Sequence, residues 1–113
     1  MTVIKNNIFD LTPFDSNSSS SEIISKILVR ENLSIEKIIS FGSPKIDNWY
    51  DQIFDEWVIL LKGASSLEFE NNEIIDLIEG DYLFIPAHKK HRVIKISEDQ
   101  PCFWLAIHGE LTD

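Results

Sequence analysis

The stretch Gly80-Asp-Tyr-Leu-Phe-Ile-Pro86-Ala-His88-Lys-Lys-His91-Arg-Val-Ile-Lys95 decides the reading of this chain. A Gly-Asp pair turns into a short apolar strand. Pro86 ends that strand, because proline lacks the N–H that a continuing ladder needs. Two histidines follow, three residues apart. His91 opens a second strand and shares a face with Val93 if side chains alternate. Upstream, Glu56-Trp-Val-Ile-Leu-Leu-Lys-Gly63 sets a carboxylate at the head of another apolar strand. If it faces inward with Val58 and Leu60, Glu56 needs a metal, another cation or a hydrogen-bond partner; if the next residue faces inward instead, Glu56 lies at the surface.

Strand signals extend outward from this centre. Glu22 to Glu31 is rich in β-branched residues, with a spacing that also suits a helix. Leu33 to Phe41 alternates Leu33, Ile35, Lys37, Ile39 and Phe41 against Ser34, Glu36, Ile38 and Ser40. Gly42-Ser-Pro44 breaks it, and Asn48 to Gln52 is short and aromatic-polar. Glu56 to Leu61, Ser66 to Glu70, Glu73 to Ile78, Tyr82 to Ile85, His91 to Ile96 and Cys102 to His108 follow, with a hairpin signal at Asn71-Asn72. Nine or ten short strands and no long helix imply an all-β sandwich or barrel over residues 22–113. Residues 1–21 form an arm and a Ser-rich loop. Its Ile8, Phe9, Leu11 and Phe14 are expected to pack on the body or on a partner. Trp57 to Leu61 and Phe103 to Ile107 are apolar on both faces, which implies burial on both sides and a homodimer.

At 113 residues and 43% hydrophobic content, the chain suits one domain with one core. A net charge of −9 with pI near 4.6 repels phosphate backbones, so no nucleic-acid partner is expected. No apolar run reaches the roughly 20 residues that span a bilayer, and no signal-peptide core is present. A soluble, cytoplasmic protein with no membrane partner follows as the expectation. The single cysteine, Cys102, lies near the start of an apolar strand and reads as structural.

With these residues in view, the chain resembles the cupin superfamily, whose members are double-stranded β-helix jelly rolls. In outline the family's second motif is Gly, five residues, Pro, one residue, Gly, two residues, His, three residues, Asn. Here Gly80, Pro86, His88, His91 and Lys95 take those places. The first motif ends in Glu, six residues, Gly, matched by Glu56 and Gly63. Its His-X-His pair is replaced within Trp49-Tyr50-Asp51-Gln52. In one spacing Trp49 and Asp51 stand for the pair; in the shorter one Tyr50 and Gln52 do. The resemblance spans about Trp49 to His108.

The resemblance implies a divalent metal, zinc, iron, manganese or nickel, held by His91 and Glu56 with Asp51 or Gln52. His88 is expected near the pocket mouth as a ligand or proton carrier. A residue with a Cβ there must take a strained backbone or another path. His108 shares a face with Trp104 and Ala106 and reads as a strand-end residue. Two functional readings remain open. The barrel binds a metal and acts on a small polar molecule, by oxygenation, isomerisation or lyase-type proton abstraction. Alternatively it is a metal-free ligand-binding or structural barrel, with the histidines and Lys95 supplying polar contacts. Whether it is an enzyme stays open.

Overall fold

The computed structural model of the chain describes residues 2–11, 22–47 and 49–112. Phe14 and the Ser-rich loop lie outside them. Among the described residues the fold is all-β, with eight strands and no helix. They are β1 (Glu22–Arg30), β2 (Leu33–Ser40), β3 (Asp55–Lys62), β4 (Ser65–Phe69), β5 (Ile74–Leu77), β6 (Tyr82–Ile85), β7 (His91–Ile96) and β8 (Cys102–Gly109). The ambiguous Glu22 segment is therefore a strand, and its β-branched residues decide it. Of the Asn48 to Gln52 segment, Asn48 lies outside the described residues and 49–52 form no strand; Tyr50 makes an isolated bridge to His91.

The strands form two antiparallel sheets. One runs β1-β2-β8-β3-β6 and the other β5-β4-β7. Between them lies a single core. Val58, Leu60, Trp104 and Ala106 of the larger sheet meet Leu67, Phe69, Leu77 and Ile96 of the smaller one. Along β3 the inward positions are Glu56, Val58 and Leu60, as strict alternation dictates. Along β8 they include Trp104, Ala106 and His108. The Trp104 indole N–H, buried with the ring, donates to Ser40 Oγ at 3.1 Å.

On β2 the inward face is the polar one. Glu36, Ile38 and Ser40 line the space between the sheets. Leu33, Ile35 and Lys37 turn to the outer surface of the large sheet. That surface is not left bare. Phe9 of the N-terminal arm packs edge-on to Phe103 at 5.4 Å, Lys62 sits over the Phe9 ring, and Lys37 donates to Asp10 O at 2.7 Å. Thus Phe9 packs on the body of its own chain.

The two ends of the sandwich differ chemically. At one end Gly63, at φ +94°, turns β3 into β4 against Cys102. A Cβ on Gly63 would stand 2.8 Å from Cys102 Sγ and 3.1 Å from its Cα. Gly80 shares the same φ but has open space around it. At the other end, Asp55 holds the turn after β6 and the chain beyond β8 together. It accepts from Ala87 N at 2.9 Å and Leu111 N at 3.1 Å. The polar residues gather at this end, where β3 and β7 begin and β8 finishes.

Gly63→Ala and Gly80→Ala test this account as a pair. Both force alanine into the left-handed region, at about 1–3 kcal/mol each. Gly63→Ala adds overlap with Cys102, roughly another 1–3 kcal/mol. Urea melts should show the Gly63 variant clearly less stable than the Gly80 variant; equal losses would contradict the close approach.

Candidate acid–base site

Glu56, the second residue of β3, lies directly opposite His108 of β8 and Ile85 of β6. Residues paired this way point to the same face, so Glu56 and His108 meet inside the sandwich mouth. His91 begins β7 and arrives from the facing sheet. Its ring stacks obliquely between Phe69, at 6.0 Å, and Tyr50, at 5.6 Å between centroids. The result is a line of alternating charge. His91 Nε2 lies 3.5 Å from Glu56 Oε1, and His108 Nε2 lies 3.4 Å from Glu56 Oε2. The other ring nitrogen of His108 stands 3.7 Å from Glu36 Oε2. Lys26 of β1 closes that end, at 2.9 Å from Glu36 Oε1. His91 Nδ1 faces the Lys89 carbonyl at 3.0 Å, which favours a proton on that nitrogen.

Burial makes these contacts consequential. Glu36, Glu56 and His91 are each 5–6% exposed, so water does little for their charges. Burial alone raises a carboxyl pKa, but the two imidazoles outweigh it and hold Glu56 at about 2. Burial opposes a charged His91, yet Glu56 and the Lys89 carbonyl raise its pKa above the ordinary value. Glu56 also raises His108, against burial, with help from Glu36.

A second carboxylate in the same mouth is held the opposite way. Glu22 of β1 accepts a hydrogen bond from the Tyr50 hydroxyl. Burial raises the Glu22 pKa; the Tyr50 hydroxyl lowers it, and the Glu56 and Glu36 charges push it up again. Burial and Glu22 together keep the Tyr50 phenol protonated far above the usual range. Apolar walls complete the mouth, with Ile38, Val58, Leu67, Ile85, Val93 and Trp104 around the polar groups. The open space of about 530 Å³ includes solvent at the entrance.

Among the described residues, Glu56 Oε1 and His108 Nε2 are buried with no hydrogen-bond partner. Their distances to the opposing charges are those of ion pairs, not of closed hydrogen bonds. Such a buried group costs about 1–3 kcal/mol when unsatisfied.

Of the residues singled out from sequence, His91, Glu56 and Gln52 line this mouth. Of the two spacings, Tyr50 and Gln52 line the mouth, and Trp49 and Asp51 are not in its lining. Asp51 and His88 pair with each other at the surface, at 2.8 Å, with 42% and 65% of their side chains exposed. His88 takes φ +63°, the conformation that a glycine would adopt freely. Lys95 is exposed on β7, outside the lining. Sequence reasoning did not single out Glu22 or Glu36 as site residues, and it placed His108 only as a strand end. Its shared face with Trp104 and Ala106 was the available signal.

These residues do not fit the divalent metal that the resemblance implies. Among the described residues no group of three or more His, Cys, Asp or Glu side chains could hold a metal ion. Tyr50 and Gln52 stand where nitrogen ligands are needed, and the Tyr50 hydroxyl is engaged by Glu22. Glu56 acts as counter-ion to two imidazoles instead.

The pH dependence of stability follows from these shifts. Glu56, lowered, contributes stability above pH 4.5, lost as pH falls toward about 2. His91 and His108, raised, contribute stability below pH 6.5, lost as pH rises through their folded values. Glu22, raised, opposes Glu56, since its contribution fades above pH 4.5. Thermal melts should therefore fall as pH rises above 6.5, and Glu56→Gln should flatten that alkaline slope. An unchanged slope in the variant would contradict the pairing.

Comparison with known proteins agrees with this geometry. The cupin-domain family model matches residues 51–108. A crystal structure from Ralstonia eutropha, named a "putative mannose-6-phosphate isomerase", is 34% identical. That match covers 96% of this chain and 99% of that one, with a TM-score of 0.82. An RmlC-like cupin from Methanocaldococcus jannaschii with a double-stranded β-helix fold is 18% identical, covers 85% and 86% of the two chains, and has a TM-score of 0.67. The DNA damage-repair/toleration protein DRT102 of Arabidopsis thaliana is 33% identical over 95 residues; the match covers 83% of this chain but only 29% of that protein. The two-sheet jelly roll, the Gly80-to-His91 turn and the matched segment together make this chain a member of the cupin family.

Proposed function

We propose that the barrel mouth is a metal-free acid–base site that moves a proton on a small polyhydroxylated carbonyl compound, an isomerase-type reaction. The observation that carries this reading is the buried Glu56 between His91 and His108, with Glu56 Oε1 and His108 Nε2 left unsatisfied. A sugar-like ligand offers hydroxyls to the polar residues of this lining. The Ralstonia relative, similar along its whole length, is named as a sugar-phosphate isomerase, which supports the reaction class.

The two carboxylates divide the labour. Glu56 keeps the imidazoles charged, so one of them can donate a proton to a carbonyl oxygen. Glu22, raised where Glu56 is lowered, is the stronger base of the two. It would take the proton from the carbon next to the carbonyl and return it to the carbonyl carbon. As the enediol collapses, the imidazole that gave its proton to the carbonyl oxygen takes one back from the neighbouring hydroxyl, so an aldose becomes a ketose and every catalytic group is restored. The Tyr50 hydroxyl orients Glu22.

The test is proton exchange. Protein incubated in deuterium oxide with mannose, glucose or fructose should wash deuterium into the carbon next to the carbonyl, read by proton NMR. Glu22→Gln and His108→Gln should each lower the rate by about 10²-fold or more. Prior treatment with a chelator should leave the rate unchanged. Binding without exchange in the wild type would show a ligand-binding barrel instead. Exchange abolished by the chelator and restored by zinc, iron, manganese or nickel would return the metal reading.

A further inference from the structure

All ten lysines and arginines of the chain lie among the described residues, so the place of every cationic side chain is fixed. Lys26 is held on Glu36. Arg92 is held on Glu68 at 2.6 Å, with its guanidinium over the Trp49 ring and a bond to Ile46 O. Lys37 and Lys62 serve the outer face, where the arm packs. Lys89 and Lys90 stand on the turn before His91, and neither they nor the remaining four line the mouth.

The ionisable lining is instead Glu22, Glu36, Glu56, His91 and His108, beside Tyr50. Of the three carboxylates, Glu36 is already held by Lys26 and Glu56 by both imidazoles, so no cationic group of the lining is left over for an anion. A phosphate ester brings about −1.5 to −2 charges near neutral pH. Proteins meet such a group with arginine, lysine or the N-terminus of a helix. No helix is present among the described residues to supply one. A phosphate in this mouth would lie among carboxylates, or would have to draw an imidazole away from Glu56. Neutral hydroxyls face no such conflict. They can pair with the polar residues of the lining, while Val58, Ile85 and Trp104 suit the C–H faces of a sugar.

We propose that this mouth takes unphosphorylated, uncharged polyhydroxylated molecules and excludes their phosphate esters. The selection rests on the acid–base reading of the same site. It separates this chain from the phosphorylated substrate in the name of its Ralstonia relative.

The experiment is a titration of the ¹⁵N-labelled protein, followed by amide shifts, at neutral pH and low salt. The probes are paired: mannose with mannose-6-phosphate, fructose with fructose-6-phosphate, and inorganic phosphate alone. Each neutral sugar is expected to bind at least tenfold more tightly than its ester. Inorganic phosphate should not shift the resonances of residues around Glu56 and His108. In Glu22→Gln, which removes one negative charge from the lining, the gap within each pair should narrow. An ester that binds as tightly as its parent sugar, or more tightly, overturns the selection and leaves the acid–base reading standing. Failure of both members of every pair overturns the two together.

Discussion

Everything at the mouth of this barrel depends on one buried carboxylate. Glu56 is 5% exposed and ionised, a state that an apolar interior forbids unless opposite charge is brought to it. The fold brings two imidazoles, one from each sheet. His108 comes by register, as the cross-strand partner of Glu56 in the antiparallel β3–β8 ladder. His91 comes by sandwich closure, which sets the start of β7 over the start of β3. Removing one partner of such a buried pair typically costs about 3–5 kcal/mol, because the stranded charge stays behind. The site and the packing of the two sheets are therefore one arrangement.

The second carboxylate pair shows how the same space creates unlike chemistry. Glu36 lies at one end of the charged line, held by Lys26 and facing His108. Glu22 sits on the neighbouring strand and accepts from a phenol, with the Glu56 and Glu36 charges raising its pKa and His91 lowering it. So Glu56 is pulled toward ionisation and Glu22 away from it, within one mouth. Pairs of titratable groups driven apart in this way mark acid–base assignments in enzymes. Where motif-bearing cupins place two histidines, this chain has Tyr50 and Gln52, and the Tyr50 phenol serves Glu22.

Much of this was legible in the sequence. The strand before Pro86, the Glu56 strand and the β-branched runs have strong local signals, and the motif spacing located Glu56 and His91. The choice between Tyr50–Gln52 and Trp49–Asp51 was not legible, because a one-residue difference in loop spacing reverses which side chains face in. β2 hid Glu36 for a related reason. Leu33, Ile35 and Ile39 look like a core face, but on this strand they face outward, where the arm's Phe9 and the rest of the outer surface give apolar cover. Glu22 could not be read as a site residue without knowing that β1 lies beside β2 and reaches Tyr50. His88 drew attention as a histidine in a glycine's place, and the backbone there does carry the expected positive φ. Its side chain serves Asp51 at the rim, not the mouth.

The claim on which the account stands is that Glu56 is the shared counter-ion of His91 and His108. Long-range ¹H–¹⁵N NMR of the imidazoles across a pH titration tests it most directly, with assignments from His91→Gln and His108→Gln. The account predicts that both rings titrate above the ordinary histidine value of 6.5, and that both fall in Glu56→Gln. If either ring titrates at or below 6.5 in the wild type, or neither moves when Glu56 is neutralised, the shared counter-ion is contradicted.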